Sequence, residues 1–305
     1  FTGVFDGNNH TISNFTYTSS DTDYVGLFRY TSGSEIRNLG LLNVSVTGQI
    51  SPTTPHYVGG LVGKLDSGQI SNSYAIGDVN GWGNVGGLVG WSKGTISNSY
   101  SIGNVNGGSN SDSLGAYNTG GLVGWNEGTI SHSHAIADVN GDAYIGGLVG
   151  WSDSDGAINN SYATGDVKAI RGIVGGLIGR NDGPISNSYA TGTIGGVNFI
   201  GGLVGINHPE GTINNSYATG IVSGSGDYVG GFAGRNDKTI SNSYANGTVS
   251  GSNYVGGFVG INGGFNPDEA TISNSYSTGY VTGNTDTGGL IGKLDTGHCF
   301  NSYWD

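Results

Sequence analysis

The residues of this sequence that could do chemistry are a few acids, two histidines and a set of tryptophans. Asp78, Asp138 and Asp166 follow Gly or Ala and precede Val in three copies of one repeated phrase. If successive copies stack as parallel strands, the carboxylates of Asp138 and Asp166 lie about 5 Å apart. That is near the carboxyl separation in retaining glycosidases. Other copies place Asn104 or Thr193 in this position, so we expect a solvated surface column and no catalytic residue.

His132 and His134 alternate in the segment ISHSHA. Two histidines at this spacing on a strand face the same side, where they could bind a transition metal. A third ligand is not evident, so we interpret them as substitutions at structural positions. Asp153 and Asp155 resemble a fragment of a calcium loop whose remaining ligands are missing. We therefore expect neither a metal site nor a cofactor.

Three tryptophans occupy one repeat position, directly after the segment GGLVG. They are Trp91, Trp125 and Trp151, and other copies have Lys, Arg or Ile there. Because buried cations are costly, the position is predicted to face outward. Three stacked rings could form a structural aromatic ladder, or they could bind a sugar, since flat aromatic faces match the apolar faces of pyranose rings. These three residues and Trp82, on the preceding loop, are the candidate glycan-binding residues.

These residues belong to a repeat that returns every 26 to 34 residues. A double glycine marks each copy, at positions 59–60, 86–87, 120–121, 146–147, 175–176, 201–202, 230–231, 256–257 and 288–289. Each copy contains three short β-type runs, such as YVGGLVG, TISNS and YATGTI, separated by Gly, Asn and Asp corners. Stacking each copy on its predecessor gives all copies the same environment. The prediction is an all-β fold, a single right-handed parallel β-helix of about ten coils with one repeat per coil.

Stacked repeats place equivalent residues in columns along the rod. Two apolar columns are predicted to form the core: Leu61, Leu88, Leu122, Leu148, Leu177, Leu203, Phe232, Phe258 and Leu290, and Ile70, Ile96, Ile130, Ile158, Ile185, Ile213, Ile240 and Ile272. Asn tolerates left-handed backbone and has both a donor and an acceptor, so an Asn column is predicted at a corner with stacked amides. Its members are Asn72, Asn98, Asn160, Asn187, Asn215, Asn242, Asn274 and Asn301. A Tyr column from Tyr74 to Tyr303 could face either way, and we favour outward rings packed along the rod.

The repeated segments GGLVG and ISNSYATG resemble the GLUG repeat, which is named for its glycine, leucine, apolar residue and glycine core. The resemblance covers Val58 to Tyr303, and residues 1–57 hold divergent copies, so residues 1–305 are predicted to be one array. The ending FNSYWD is similar to the last copy of such arrays. The resemblance implies an extracellular, cell-surface or secreted β-solenoid. It carries over no catalytic residues, because the motif has none.

Composition excludes several other classes. A net charge of −12 without a basic cluster disfavours nucleic-acid binding, and no apolar run is long enough to span a membrane. The single cysteine, Cys299, occupies an Ile position and is expected to be a small buried hydrophobe. The sequence has no Met, from which we expect an excised or processed piece of a longer chain. Six sequons permit N-glycosylation, at Asn9, Asn14, Asn43, Asn159, Asn214 and Asn246.

The leading functional prediction is a non-enzymatic structural or adhesive module of an extracellular surface protein or fibre, with weak glycan binding. Cell-surface or matrix glycans, and end-to-end or lateral self-association, are its expected partners. The alternative is a carbohydrate-active β-helix enzyme, a lyase or a glycoside hydrolase, or the glycan-binding appendage of one. If the tryptophans do not bind, adhesion is expected in variable loops such as Asn106 to Thr119.

Overall fold

The structure is a computed structural model that describes residues 1–20, 23–48, 56–108, 117–264 and 269–305. Most of the loop from Asn106 to Thr119, where adhesion is the fallback prediction, lies outside the described residues. The described chain is a parallel β-solenoid of about ten coils. This confirms the all-β, one-repeat-per-coil architecture predicted from the stacking argument.

Each coil runs through three sheets in turn. The first sheet ends at the double glycines and contains ten strands: Tyr24–Val25, Tyr57–Gly59, Asn84–Gly86, Asn118–Gly120, Tyr144–Gly146, Ile173–Gly175, Ile200–Gly201, Val229–Gly230, Asn253–Gly256 and Thr285–Gly288. The second sheet follows the double glycines and also contains ten: Phe28–Thr31, Val62–Leu65, Val89–Ser92, Val123–Asn126, Val149–Ser152, Ile178–Asn181, Val204–Asn207, Ala233–Asn236, Val259–Asn262 and Ile291–Leu294.

The third sheet contains 26 strands, because most coils contribute two or three segments that bend at the Asn corner, while one coil contributes the single strand Ser34–Gly48. They are Val4–Ser13, Thr16–Ser19, Ser34–Gly48, Gly68–Ser71, Tyr74–Gly81, Thr95–Ser97, Tyr100–Gly107, Thr129–Ser131, His134–Gly141, Ala157–Asn159, Tyr162–Ala163, Val167–Ala169, Pro184–Ser186, Tyr189–Ala190, Ile194–Gly196, Thr212–Asn214, Tyr217–Ala218, Val222–Gly224, Thr239–Ser241, Tyr244–Ala245, Val249–Ser250, Thr271–Ser273, Tyr276–Ser277, Val281–Thr282, His298–Phe300 and Tyr303–Trp304. Adjacent coils pair in parallel, in the register that the repeat alignment predicts.

One apolar core runs the length of the rod. The predicted Leu column is buried from Leu61 through Phe258, and the predicted Ile column is buried from Ile70 through Ile272. Leu290, in the last coil, is only partly buried. Cys299 pairs with Ile272 in the predicted Ile column but is only partly buried, in contrast to the expectation of a buried residue, because it lies in the last coil. This partial burial raises the pKa of its thiol.

The double glycine is required because the backbone of the next coil and a core side chain leave no room for a Cβ there. A Cβ on Gly121 would stand 2.0 Å from the carbonyl oxygen of Gly147 in the next coil and 2.8 Å from the Cβ of Ala135. Both distances are shorter than van der Waals contact. The second glycine therefore packs against the small residue that follows the Tyr column in the same coil, which explains why the repeat joins GG to YA.

The Asn column forms a left-handed corner, as predicted. Its eight members, from Asn72 to Asn301, have φ between 47° and 50°, and His132 occupies the same conformation with φ 50°. Among the described residues, direct amide-to-amide bonds between Asn residues at this corner position lie at the two ends of the column. Asn72 donates to Asn38 of the preceding coil at 3.3 Å, Asn274 donates to Asn242 at 3.3 Å, and Asn301 donates to Asn274 at 3.4 Å. The column is selected mainly for its backbone conformation, which Asn adopts more readily than other side-chain-bearing residues.

A second, fully buried Asn ladder was not predicted. Asn181, Asn207, Asn236 and Asn262 end consecutive strands of the second sheet and have no exposed surface. Each amide of the first three donates to the carbonyl oxygen of the next, at 2.9, 2.8 and 2.7 Å. The second N–H bonds of Asn181 and Asn236 go to the backbone carbonyls two residues on, at 2.8 and 3.0 Å. This ladder pairs most polar groups of a buried corner, and the side-chain oxygen of Asn181 at its start has no hydrogen-bond partner.

A serine ladder links successive coils by hydrogen bonds at the Asn corner. Each hydroxyl donates to the carbonyl two residues earlier at about 2.8 Å and accepts the backbone N–H of the preceding coil at about 3.2 Å. The buried members are Ser73, Ser99, Ser133, Ser161, Ser188, Ser216, Ser243 and Ser275. The Ser of NSY therefore bonds one coil to the next.

The buried ladder makes a stability prediction. Replacing Asn207 with Ala removes two amide–amide bonds. It leaves a buried N–H of Asn181 unpaired and leaves the Asn236 oxygen with only the longer bond from the Lys238 N–H at 3.4 Å. We therefore expect a loss of about 3 kcal/mol in the free energy of unfolding. The matched control is Asn215→Gly, which suits the left-handed corner and should change stability by less than about 1 kcal/mol. Denaturant titration followed by circular dichroism measures both, and equal midpoints for the two variants would contradict the assignment.

Candidate functional site

The predicted tryptophan column exists. Trp91 pairs with Trp125, and Trp125 with Trp151, on adjacent strands of the second sheet. The rings of Trp125 and Trp151 are stacked, with centroids 5.0 Å apart and planes at 2°, while Trp91 is tilted by 58° at 5.9 Å. The ring faces of Trp125 and Trp151 therefore pack against each other along the rod axis, and the stack presents ring edges outward.

Cations cover both ends of this stack. The Lys64 ammonium lies 4.0 Å from the centroid of Trp91, and the Arg180 guanidinium lies 5.0 Å from that of Trp151. Lys93 also lies 5.1 Å from the Trp91 ring, which is only 5 % exposed. The prediction of three exposed tryptophans is thus wrong for Trp91, because long cationic side chains fold over its ring. Trp125 and Trp151 are partly exposed.

Acidic side chains of the following coil bind the indole N–H groups of the column. Each acid lies two residues after the column position of its own coil. The indole N–H of Trp91 donates to Glu127 at 2.7 Å, and that of Trp151 to Asp182 at 2.5 Å. Where a cation replaces Trp, it pairs with the Asp that directly follows its strand. The pairs are Lys64 with Asp66 at 3.7 Å, Arg180 with Asp182 at 2.9 Å, Arg235 with Asp237 at 2.9 Å and Lys293 with Asp295 at 3.5 Å. Sequence reasoning missed these pairs, although the K-x-D and R-x-D spacing carried the signal.

Asp182 is the most elaborate of these acids. It is 5 % exposed and accepts hydrogen bonds from Trp151 and Arg180, while the Nδ1 atom of His208 lies 2.6 Å from its carboxylate. Burial by itself would raise the pKa of Asp182, but the bonds from His208, Arg180 and Trp151 outweigh it and lower that pKa below its usual value. The cluster therefore holds a buried, ionised carboxylate that joins consecutive coils.

Trp82 is not brought into the column. Its ring packs edge-on against Tyr117, with centroids 6.0 Å apart. Among the described residues its ring contacts do not include Trp91. The structure therefore separates Trp82 from the surface that it was expected to extend.

The candidate acids lie in the predicted surface column, where they bond to the backbone. Asp138 accepts the N–H of Asp166 at 2.9 Å, Asp166 accepts that of Thr193 at 2.8 Å, and Asp78 accepts that of Asn104 at 3.1 Å. Each carboxylate thus links one coil to the next. Asp138 and Asp166 are neighbours, as the repeat predicts, and an open depression of about 420 Å³ lies between them.

The two histidines occupy structural positions. His132 takes the Asn corner, and His134 is inserted in the Tyr column between Tyr100 and Tyr162, with centroids 4.9 and 4.6 Å away. Burial lowers the pKa of His134. In the described parts of the chain no group of three or more His, Cys, Asp or Glu side chains is arranged to hold a metal ion. Asp153 accepts hydrogen bonds from the N–H and hydroxyl of Ser154 in a local turn.

The Tyr column is a partly exposed stack, as favoured. Its rings lie 4.6 to 5.5 Å apart with planes within 11° of one another.

Among the predicted sequons, Asn9, Asn14, Asn43 and Asn246 are exposed, whereas Asn159 and Asn214 are half-buried. The Ser161 and Ser216 hydroxyls of those two sequons are buried and donate to the carbonyl of the Asn itself.

The described ranges contain no helix of the length and apolarity that crossing a membrane requires.

The relatives of the chain are informative mainly about its repeat. Over 91 residues, 30 % of this chain, it is 40 % identical to halomucin from Haloquadratum walsbyi, and the match covers 1 % of that protein. A crystal structure from Bacteroides ovatus, of a protein provisionally assigned as an immunoglobulin A1 protease, aligns with a TM-score of 0.45 and 25 % identity. That alignment covers 72 % of this chain and 61 % of the other, so the chain spans less than two thirds of either relative.

The family comparison covers more of the sequence. The model of the GLUG motif matches residues 54–80, 115–140, 141–168, 171–195, 225–250 and 251–282, together more than half of the chain. These matches coincide with coils in which the Leu, Ile, Ser and Asn columns are stacked. The chain belongs to the GLUG-motif family.

Proposed function

We propose that this chain is a non-enzymatic structural and adhesive rod of a secreted or cell-surface protein. The observation that supports it is that columns of polar side chains form hydrogen bonds from one coil to the next. The Asp column, the buried Asn ladder and the Ser ladder bond to the next coil, and a side chain committed in this way is not poised to react. The similarity to a stretch of halomucin supports a surface location.

Glycan contact is part of this proposal. The partly exposed edges of Trp125 and Trp151 offer a narrow apolar strip, and contacts of this size are expected to be weak, on the order of mM. Weak contacts become useful when many copies are displayed together. Lateral and end-to-end association of rods would provide such display.

A carbohydrate-active enzyme is the second candidate, because an open depression adjoins the Asp138 and Asp166 pair. The carboxylates suit a retaining mechanism only if one is protonated while the other attacks the sugar. Both instead accept backbone N–H groups of the next coil, so each carboxylate is already committed to a structural hydrogen bond.

A test of activity separates the adhesive rod from the carbohydrate-active enzyme. Incubation with neutral and acidic polysaccharides, with calcium present, should release no reducing ends and form no unsaturated sugars. Asp138→Ala should lower stability by about 0.5–1 kcal/mol by removing the acceptor, and Asp138→Asn, which keeps it, should not. Turnover that disappears in Asp138→Asn or Asp166→Asn would establish the enzyme instead.

The second prediction concerns the tryptophan column. Trp91→Ala should destabilise the rod by about 3 kcal/mol, because it empties a buried site beneath Lys64 and Lys93. Trp82→Ala, a partly exposed loop control, should cost about 1 kcal/mol or less. Thermal unfolding measures both. A Trp91 variant as stable as the wild type would show that the ring is not part of the packed structure.

A further inference from the structure

The Tyr column is a stack of aromatic rings along the outside of the rod. Its members are Tyr74, Tyr100, Tyr162, Tyr189, Tyr217, Tyr244, Tyr276 and Tyr303, with His134 between Tyr100 and Tyr162. Tyr189 and Tyr217 are typical neighbours, because they pair in register and their rings are 4.8 Å apart with planes at 3°. Each ring carbon beside a phenol hydroxyl therefore lies near its counterpart in the next coil.

The column is open to small reagents. Its members from Tyr74 to Tyr276 are partly exposed, and Tyr303 is 59 % exposed. Burial raises the pKa of Tyr100, Tyr189 and Tyr244, so these phenols are protonated near neutral pH and must lose a proton to water when they are oxidised. The sequence has no Met and a single Cys, two residue types that commonly compete for oxidants.

We propose that the Tyr column is a site of dityrosine cross-linking, in which a haem peroxidase joins one coil to the next at the expense of hydrogen peroxide. Each of two neighbouring phenols gives up one electron and one proton, and the two radicals form a carbon–carbon bond between their ortho positions. The hydrogens on these two carbons then move to the ring oxygens and restore both phenols. In sum, two tyrosines and one hydrogen peroxide give one dityrosine and two waters.

This modification goes beyond the proposed adhesive function and does not depend on it. Each bond links residues of consecutive coils, so a cross-linked column would tie the rod together covalently along its length. Such a bond resists the separation of coils that hydrogen bonds between them oppose only reversibly.

Stacking favours coupling within a rod over coupling between rods. Rings held next to each other react at an effective concentration far above the micromolar concentration of a protein solution. Tyr280 provides the contrast, because it is 71 % exposed and, among the described residues, stacks on no other ring. Exposure alone would select Tyr280, whereas proximity selects the column.

His134 gives the column an internal control. It has no phenol to couple, and it separates Tyr100 from Tyr162 by roughly 9.6 Å along the rod. We therefore expect Tyr74 to couple to Tyr100, and neighbours from Tyr162 to Tyr303 to couple to each other, with no bond between Tyr100 and Tyr162. His134→Tyr restores the residue that the repeat places there, so this variant should fold and gain cross-links from position 134 to both neighbours.

The test is oxidation of the whole chain at micromolar concentration with a haem peroxidase and hydrogen peroxide. Mass spectrometry of proteolytic peptides locates the dityrosines, and a denaturing gel separates cross-linked monomers from dimers. We expect bonds between neighbours of the column, and cross-linked monomers in at least about tenfold excess over dimers. Tyr217→Phe keeps the ring and the fold, and should abolish the bonds at that position without creating one between Tyr189 and Tyr244. Tyr280→Phe, the matched control outside the column, should change the yield less than twofold.

Three results would overturn the proposal. They are an absence of dityrosine in the oxidised wild type, cross-links that run mainly through Tyr280 or between rods, and a folded His134→Tyr variant that gains no bond to Tyr100 or Tyr162. The thermal unfolding of His134→Tyr before oxidation shows whether it folds, and Tyr217→Phe tests the same claim without relying on that variant.

Discussion

Every outward and inward position of this rod must be compatible with a copy of itself about 4.8 Å above and below, because parallel coils stack in register. A side chain that is both donor and acceptor meets this constraint, and so does a flat ring. A charge meets it only when another group compensates it, as backbone N–H groups do for the neighbouring Asp138 and Asp166. Two like charges about 5 Å apart otherwise repel by roughly 1–3 kcal/mol at effective dielectric constants of 20 to 80. The columns of Asn, Ser, Tyr and Leu follow from this one condition.

The spacing of cations along the rod follows from the same constraint. In the column that contains the tryptophans, within the described chain, no two cations are adjacent: Lys64 is followed by three Trp, Arg180 by Ile206, and Arg235 by Ile261. Each cation is neutralised by the Asp two residues on, which directly follows the strand. Trp and Ile thus separate like charges, and the Trp rings gain cation–π contacts in doing so. This accounts for a mixture of residue types that otherwise suggests a binding surface.

Much of the fold could be predicted because the repeat reveals its columns before any geometry is known. The Leu and Ile columns, the left-handed Asn corner and the outward Tyr stack all follow from aligning the double glycines. The buried ladder from Asn181 to Asn262 could not be predicted, since Leu65 and Ser92 share its position and its inward direction depends on the shape of a corner. The burial of Trp91 depends on how Lys64 and Lys93 fold over it.

The account depends on buried side chains bonding from coil to coil, and the amide protons of Asn207 report this most directly. In the folded rod, hydrogen exchange of the Asn207 side-chain NH₂, followed by NMR, should be slowed to the rate of the surrounding core backbone amides, because one of its protons is bonded to Asn236 and both are buried. The exposed Asn215 side chain should exchange as a free amide does. Exchange of Asn207 at the rate of Asn215 would show that the ladder does not form and would contradict the stacking account.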